Sequence, residues 1–116
     1  MPPVADSSLL NVLRLLESNP RLSQREMARE MGISLGKTNY CVRALLAKGY
    51  LKVRNFSNNA NKASYTYLLT PQGVAAKATL TRQFLQRKRE EYEELRQEIN
   101  RLQQEAESGV SAGIGA

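Results

Sequence analysis

The chain has 116 residues, which suits one domain and an appendage. Its 41% hydrophobic and 24% charged residues describe a globular rather than a disordered protein. Histidine is absent and Cys41 is the single cysteine, so the commonest general base, an internal disulfide and a Cys-based zinc site are all excluded. We therefore expect no catalytic residue, no metal and no cofactor. Residues 1–89 carry 15 Lys and Arg against 4 Asp and Glu, a net +11; residues 90–116 carry 2 against 7, a net −5. A basic body on an acidic end points to a polyanion-binding surface with a separate assembly segment. Nucleic acid is the first candidate and an anionic membrane surface the second.

Met1–Asp6 lacks a basic run, and Leu9–Leu16 is interrupted by Asn11 and Arg14, so no signal peptide is expected. Nor does any apolar run reach the roughly 18 residues of a membrane span. The expected location is the cytoplasm.

Residues 1–6, with Pro2 and Pro3, read as a flexible arm. Ser7 or Ser8 caps a first helix to about Ser18, with Leu9, Val12, Leu13 and Leu16 on one stripe. Asn19-Pro20 ends it. Ser23-Gln-Arg-Glu26 is a capping box opening a second helix, about Gln24 to Met31, with Met27, Ala28 and Met31 inward. Gly32 stops that helix. Ser34 caps a third, ending at Gly49, whose inward stripe is Thr38, Cys41, Val42 and Leu45. Two helices joined by a short glycine turn make a helix-turn-helix, the plainer alternative being two ordinary helices of a bundle. Tyr50–Arg54 and Ser64–Leu69 alternate as strands around a polar loop at 55–62. A hairpin directly after the motif makes a winged helix over 7–70. Thr70-Pro71-Gln72-Gly73 starts a long helix over 71–105, about 50 Å in length. Residues 106–116 read as a disordered tail. The fold class is thus mainly α with a small β-hairpin.

If the third helix buries its apolar stripe, its other face shows Gly36, Lys37, Asn39, Tyr40 and Arg43. Lys37 and Arg43 can donate to guanine or phosphate, and Asn39 can pair with adenine. Tyr40 offers a ring to a thymine methyl, and Gly36 permits close backbone approach. Arg25, with Ser23, Gln24 and Ser34 at the two helix starts, is placed for the phosphate backbone. In the wing, Arg54, Asn58, Asn59, Asn61 and Lys62 can meet a minor groove or its phosphates. Cys41 lies on the inward stripe and reads as a small core residue.

Leu22–Ala28, Gly32–Lys37, Leu45–Gly49 and Leu68–Gly73 resemble the MarR-type winged-helix transcriptional regulators. Asn39-Tyr40-Cys41, the asparagine-rich wing and Phe84–Tyr92 are similar to a short bacterial subfamily described as associated with exopolysaccharide gene clusters. The resemblance covers roughly residues 8–103. It implies a bacterial, nucleoid-associated homodimer that binds double-stranded DNA through Lys37, Asn39, Tyr40 and Arg43. Typical members add helices at both ends and enclose an aromatic ligand, whereas this chain has one long C-terminal helix; a small-molecule effector is left open.

In the long helix, the a/d series from Ala78 runs Ala78, Thr81, Leu85, Lys88, Tyr92, Leu95, Ile99 and Leu102. Glu91 and Glu98 fall at g, and Arg89 and Arg96 at e. Leu85, Tyr92, Leu95, Ile99 and Leu102 are the expected dimerisation residues. Two alternatives compete with a DNA-binding regulator: a winged helix serving protein–protein assembly, and a basic membrane-surface helix carrying Arg82, Arg87, Lys88 and Arg89.

Overall fold

The structure, a computed structural model, describes the backbone of residues 6–59 and 62–115 and the side chains of 7–54 and 65–109. Its elements are α1 (Asp6–Ser18), α2 (Gln24–Met31), α3 (Leu35–Ala47), β1 (Leu51–Asn59), β2 (Lys62–Leu69) and α4 (Pro71–Gly115). The chain divides into two compact units, residues 1–82 and 83–116.

In the first unit the helix stripes converge on one core. Val12, Leu13, Leu16, Met27, Cys41, Val42 and Leu45 are fully enclosed, and Leu51 and Tyr67 close the side nearest the hairpin. Truncating a leucine at such a site costs about 2–5 kcal/mol, a large share of the ~5–15 kcal/mol that holds a domain together. Leu10, rather than Leu9, is the buried residue of the first turns. α1 already begins at Asp6, so Ser7 and Ser8 lie inside its first turn and do not cap it.

The remaining helix ends are closed locally. Ser23 accepts from the Glu26 amide at 3.0 Å, but the Glu26 carboxylate accepts from the Ser23 hydroxyl (3.1 Å) where a capping box would reach the serine's own amide. Gly32, at φ 66°, ends α2 while Ile33 N–H donates to the Ala28 carbonyl at 3.1 Å. Ser34 accepts from the Lys37 amide at 3.1 Å, and Thr38 donates its hydroxyl to the Ser34 carbonyl. α3 stops at Ala47, and Gly49 at φ 77° lets Tyr50 N–H return to the Leu45 carbonyl.

β1 and β2 pair antiparallel from Leu51↔Leu69 to Asn59↔Lys62, with a register shift between Ser57 and Asn59. The expected polar loop at 55–62 is therefore corrected: paired backbone runs through Asn55, Phe56 and Ser57. Ladder bonds satisfy the backbone whatever the side chain, and this outweighs the low strand preference of asparagine. Tyr67 N–H also donates to the Pro20 carbonyl at 3.1 Å, tying the hairpin to the turn after α1.

The start of α4 is fixed to the turn after α3. Thr70 N–H donates to the Tyr50 carbonyl at 3.1 Å, and its hydroxyl donates to the Gly49 carbonyl while accepting from Gly73 N–H. A Cβ on Gly73 would overlap the Tyr50 carbonyl. Lys77 pairs with Glu17 of α1, and Leu80 packs on the core.

The second unit is helical through Gly115, so the tail expected at 106–116 is corrected as far as the description reaches. No proline interrupts it. Adding residues to an existing helix gains a hydrogen bond each, and an isolated glycine costs only about 1 kcal/mol. Leu85, Tyr92, Leu95, Ile99 and Leu102 are all exposed, Tyr92 at 67%. Among the described residues no helix is long and apolar enough to cross a membrane.

Gly73→Ala should lower unfolding free energy by about 1–3 kcal/mol through overlap with backbone, whereas Gly36→Ala, in open space within α3, should not lower it; denaturant titration of both variants checks the contrast. Burial holds the Cys41 thiol above its ordinary pKa, against a smaller opposing pull from Lys37. The unfolded thiol therefore ionises first, so this contribution is intact below the ordinary thiol pKa and is lost as pH rises from there through the raised folded value. Cys41 should react with a thiol reagent only on unfolding, and the fall of stability with rising alkaline pH should be shallower in Cys41→Ala; a fast-reacting native thiol would contradict the burial.

Candidate nucleic-acid interface

α3 has two faces of opposite character. Thr38, Cys41, Val42 and Leu45 have no exposure, while Gly36, Lys37, Asn39, Tyr40 and Arg43 are all exposed. The buried stripe fixes the helix's rotation, and 100° per residue then turns these five outward. Gly36, Asn39, Tyr40, Arg43, Ala44 and Ala47 line a shallow open groove of about 550 Å³. Its openness suits a surface laid against a larger body more than enclosure of a small molecule.

A hydrogen-bond chain crosses the motif. Asn39 Nδ2 donates to Gln24 Oε1 at 3.0 Å, and Gln24 Nε2 donates to the Tyr67 hydroxyl at 3.2 Å. It connects the exposed face of α3, the first residue of α2 and strand β2. Gln24 thus has a role beyond the backbone contact read from the sequence: it orients Asn39. Asn39 keeps its carbonyl oxygen and a second N–H for an outside partner. Tyr67 was missed as a polar participant. Its alternation in Tyr65-Thr-Tyr67 signals a packed ring, but no local pattern signals the hydroxyl's partner 43 residues away.

The other candidates separate by what their groups are already doing. Arg25 is exposed at the start of α2. The exposed Ser23 hydroxyl donates to Glu26 Oε1 and accepts from the Glu26 amide. The Ser34 hydroxyl accepts from Lys37 N–H and retains its proton. Arg54 is exposed in β1. Asn58 and Asn59 fall in β1 and Lys62 opens β2, but their side chains, and Asn61 altogether, lie outside the described residues.

Among the described residues there is no group of three His, Cys, Asp or Glu able to hold a metal ion, and no buried side-chain polar atom lacks a partner. The available chemistry is donation from cations and amides, with a tyrosine ring beside them.

Residues 6–52 match the family described as winged helix-turn-helix DNA-binding. No curated protein sequence matches the chain. Among solved structures, the chain is similar to a MarR transcriptional regulator from Methanosarcina mazei, at 20% identity and TM-score 0.52, covering 66% of this chain and 53% of that one. It is similar to a MarR/EmrR family regulator from Acinetobacter, at 17% identity and TM-score 0.58, covering 75% and 59%. The PcaV transcriptional regulator from Streptomyces coelicolor gives 21% identity and TM-score 0.57, covering 69% and 57%. The chain spans a little over half the length of these proteins. The fold shared with these structures is the winged helix.

Proposed function

We propose that the protein is a sequence-specific regulator of transcription that binds double-stranded DNA as a homodimer. The observation that carries the reading is the α3 face. Lys37, Asn39, Tyr40 and Arg43 stand outward on a helix whose other side is locked in the core, the arrangement by which this motif lays a helix in the major groove. In this reading Lys37 and Arg43 address guanine or phosphate and Asn39 an adenine edge. Arg25 and Ser34 hold the backbone beside them, and the wing meets the minor groove or its phosphates. An assembly module would more often show acidic or apolar residues on that face. The solved structures that it resembles are transcriptional regulators, two of them of the MarR type, and this favours the same function.

The exposed a/d series of α4 supports the dimer. Five large apolar side chains at 46–67% exposure recur along one helix, and such a stripe is stable when a second helix covers it. The finer likeness to the exopolysaccharide-associated subgroup rests on the sequence alone. It directs the operator search to DNA upstream of such genes.

Lys37→Ala and Arg43→Ala should each weaken operator binding by about 1–3 kcal/mol, with the fold intact by circular dichroism. Gln24→Ala should lower discrimination at the base pair that Asn39 addresses more than it lowers non-specific affinity, because it frees the amide without removing a charge. Gel-shift titrations on an operator selected from random duplexes check both; unchanged affinity in both charge variants would remove α3 from the reading role.

Leu95→Asp combined with Ile99→Asp should leave the winged-helix unit folded but shift the protein to monomer, with much weaker operator binding. Sedimentation equilibrium measures the shift. A double variant that remains dimeric with full affinity would place the interface elsewhere.

A further inference from the structure

The second unit carries information about the direction in which two copies meet. At its a and d positions stand Leu85, Tyr92, Leu95, Ile99 and Leu102, all exposed. On that frame every g position from 91 onward within the described side chains is glutamate (Glu91, Glu98, Glu105). The e positions 89 and 96 are arginine, followed by Gln103. In a parallel pair, g of one helix faces e of the next heptad on the other; in an antiparallel pair, g faces g and e faces e. Parallel pairing therefore sets Glu91 against Arg96 of a second copy, twice by symmetry. Antiparallel pairing sets glutamate against glutamate and arginine against arginine or glutamine in any register that keeps the seam closed.

Resting on the homodimer reading, we infer that residues 83–109 pair with a second copy of this chain in parallel. Two features could oppose this. The first is Lys88 at d, which a parallel pair brings near its own copy. Its ammonium is drawn off the seam, 3.1 Å from Glu91 and 5.1 Å from the centre of the Phe84 ring. A single lysine in the seam lowers stability but fixes register. The second is the division of charge along the helix, basic before residue 90 and acidic after it, which alone would favour antiparallel packing. Arg87, Glu90, Glu93 and Glu94 lie at b, c and f, away from the partner, where salt screens their attraction within about 8–10 Å. Contacts at e and g outweigh that background. Arg96 is held by Glu93 of its own helix at 2.6 Å, a solvent-exposed pair that exchanges for an interhelical one at little cost.

The full-length protein tests this by charge exchange and by cross-linking. E91R and R96E should each weaken dimerisation by about tenfold in sedimentation equilibrium, two attractive contacts becoming repulsive. The double variant E91R/R96E should restore it. A106C, at the next a position, should form an intermolecular disulfide on mild oxidation, with native Cys41 buried. An E91R dimer that is unchanged or tighter, or an A106C dimer that does not cross-link, overturns parallel pairing and leaves the homodimer standing. A wild-type chain that sediments as a monomer at every concentration overturns the homodimer reading itself.

Discussion

The arrangement of the first unit rests on the burial of one stripe of α3. Thr38, Cys41, Val42 and Leu45 have no residual exposure, and the last three join Val12, Leu13, Leu16 and Met27 in one core. Rotating the helix by one residue would bring Lys37 or Asn39 into that core, and an unpaired charge or amide there costs several kcal/mol. The rotation is thus fixed by what α3 must bury. What it presents outward follows from helical geometry, and the polar face needs no contact of its own to be held in place.

The hydrogen bonds refine that position. Gln24 sits between Asn39 and Tyr67, so the start of α2, the exposed face of α3 and the hairpin share one polar chain. A change in the wing that moves Tyr67 has a direct route to the orientation of Asn39. The Thr70–Gly73 corner closes the same unit from the other side. There the Tyr50 carbonyl accepts from Thr70 and lies where any side chain at position 73 would stand. One turn after α3 therefore sets the starting direction of both β1 and α4.

The second unit follows a different logic. Among its described residues none is buried, the five large apolar side chains of the a/d series are exposed, and the Lys88–Glu91 and Arg96–Glu93 pairs lie within one helix and are solvent-accessible. The Arg96 guanidinium beside Glu93 holds that carboxyl below its usual range, but an exposed pair of this kind adds little stability. The segment's apolar seam matters for what covers it, and its charges for choosing among ways of covering it.

Much of this was legible in the sequence because the signals are local and periodic. The cap residues Ser23 and Ser34, the stop at Gly32 and the α3 stripe act within a few residues of chain. The bounds of α2 and the buried set of α3 follow from them directly. The five outward residues of α3 were legible for the same reason, being the complement of a stripe with helical spacing. Where local signals were weak, tertiary structure decided. Asparagines at 55–59 read as a loop, yet strand pairing carries through them because a partner strand satisfies their backbone. Gly109 and Gly113 read as the end of order, yet the helix propagates through them because nothing in its path removes an amide. The dependence of Gly73 on the Tyr50 carbonyl, and of Asn39 on Gln24 and Tyr67, lies in contacts between residues 15 to 43 positions apart. Periodicity by itself determined which faces are apolar; only the packed chain decided which polar groups meet, because a hydrogen bond depends on distances that no sequence spacing encodes.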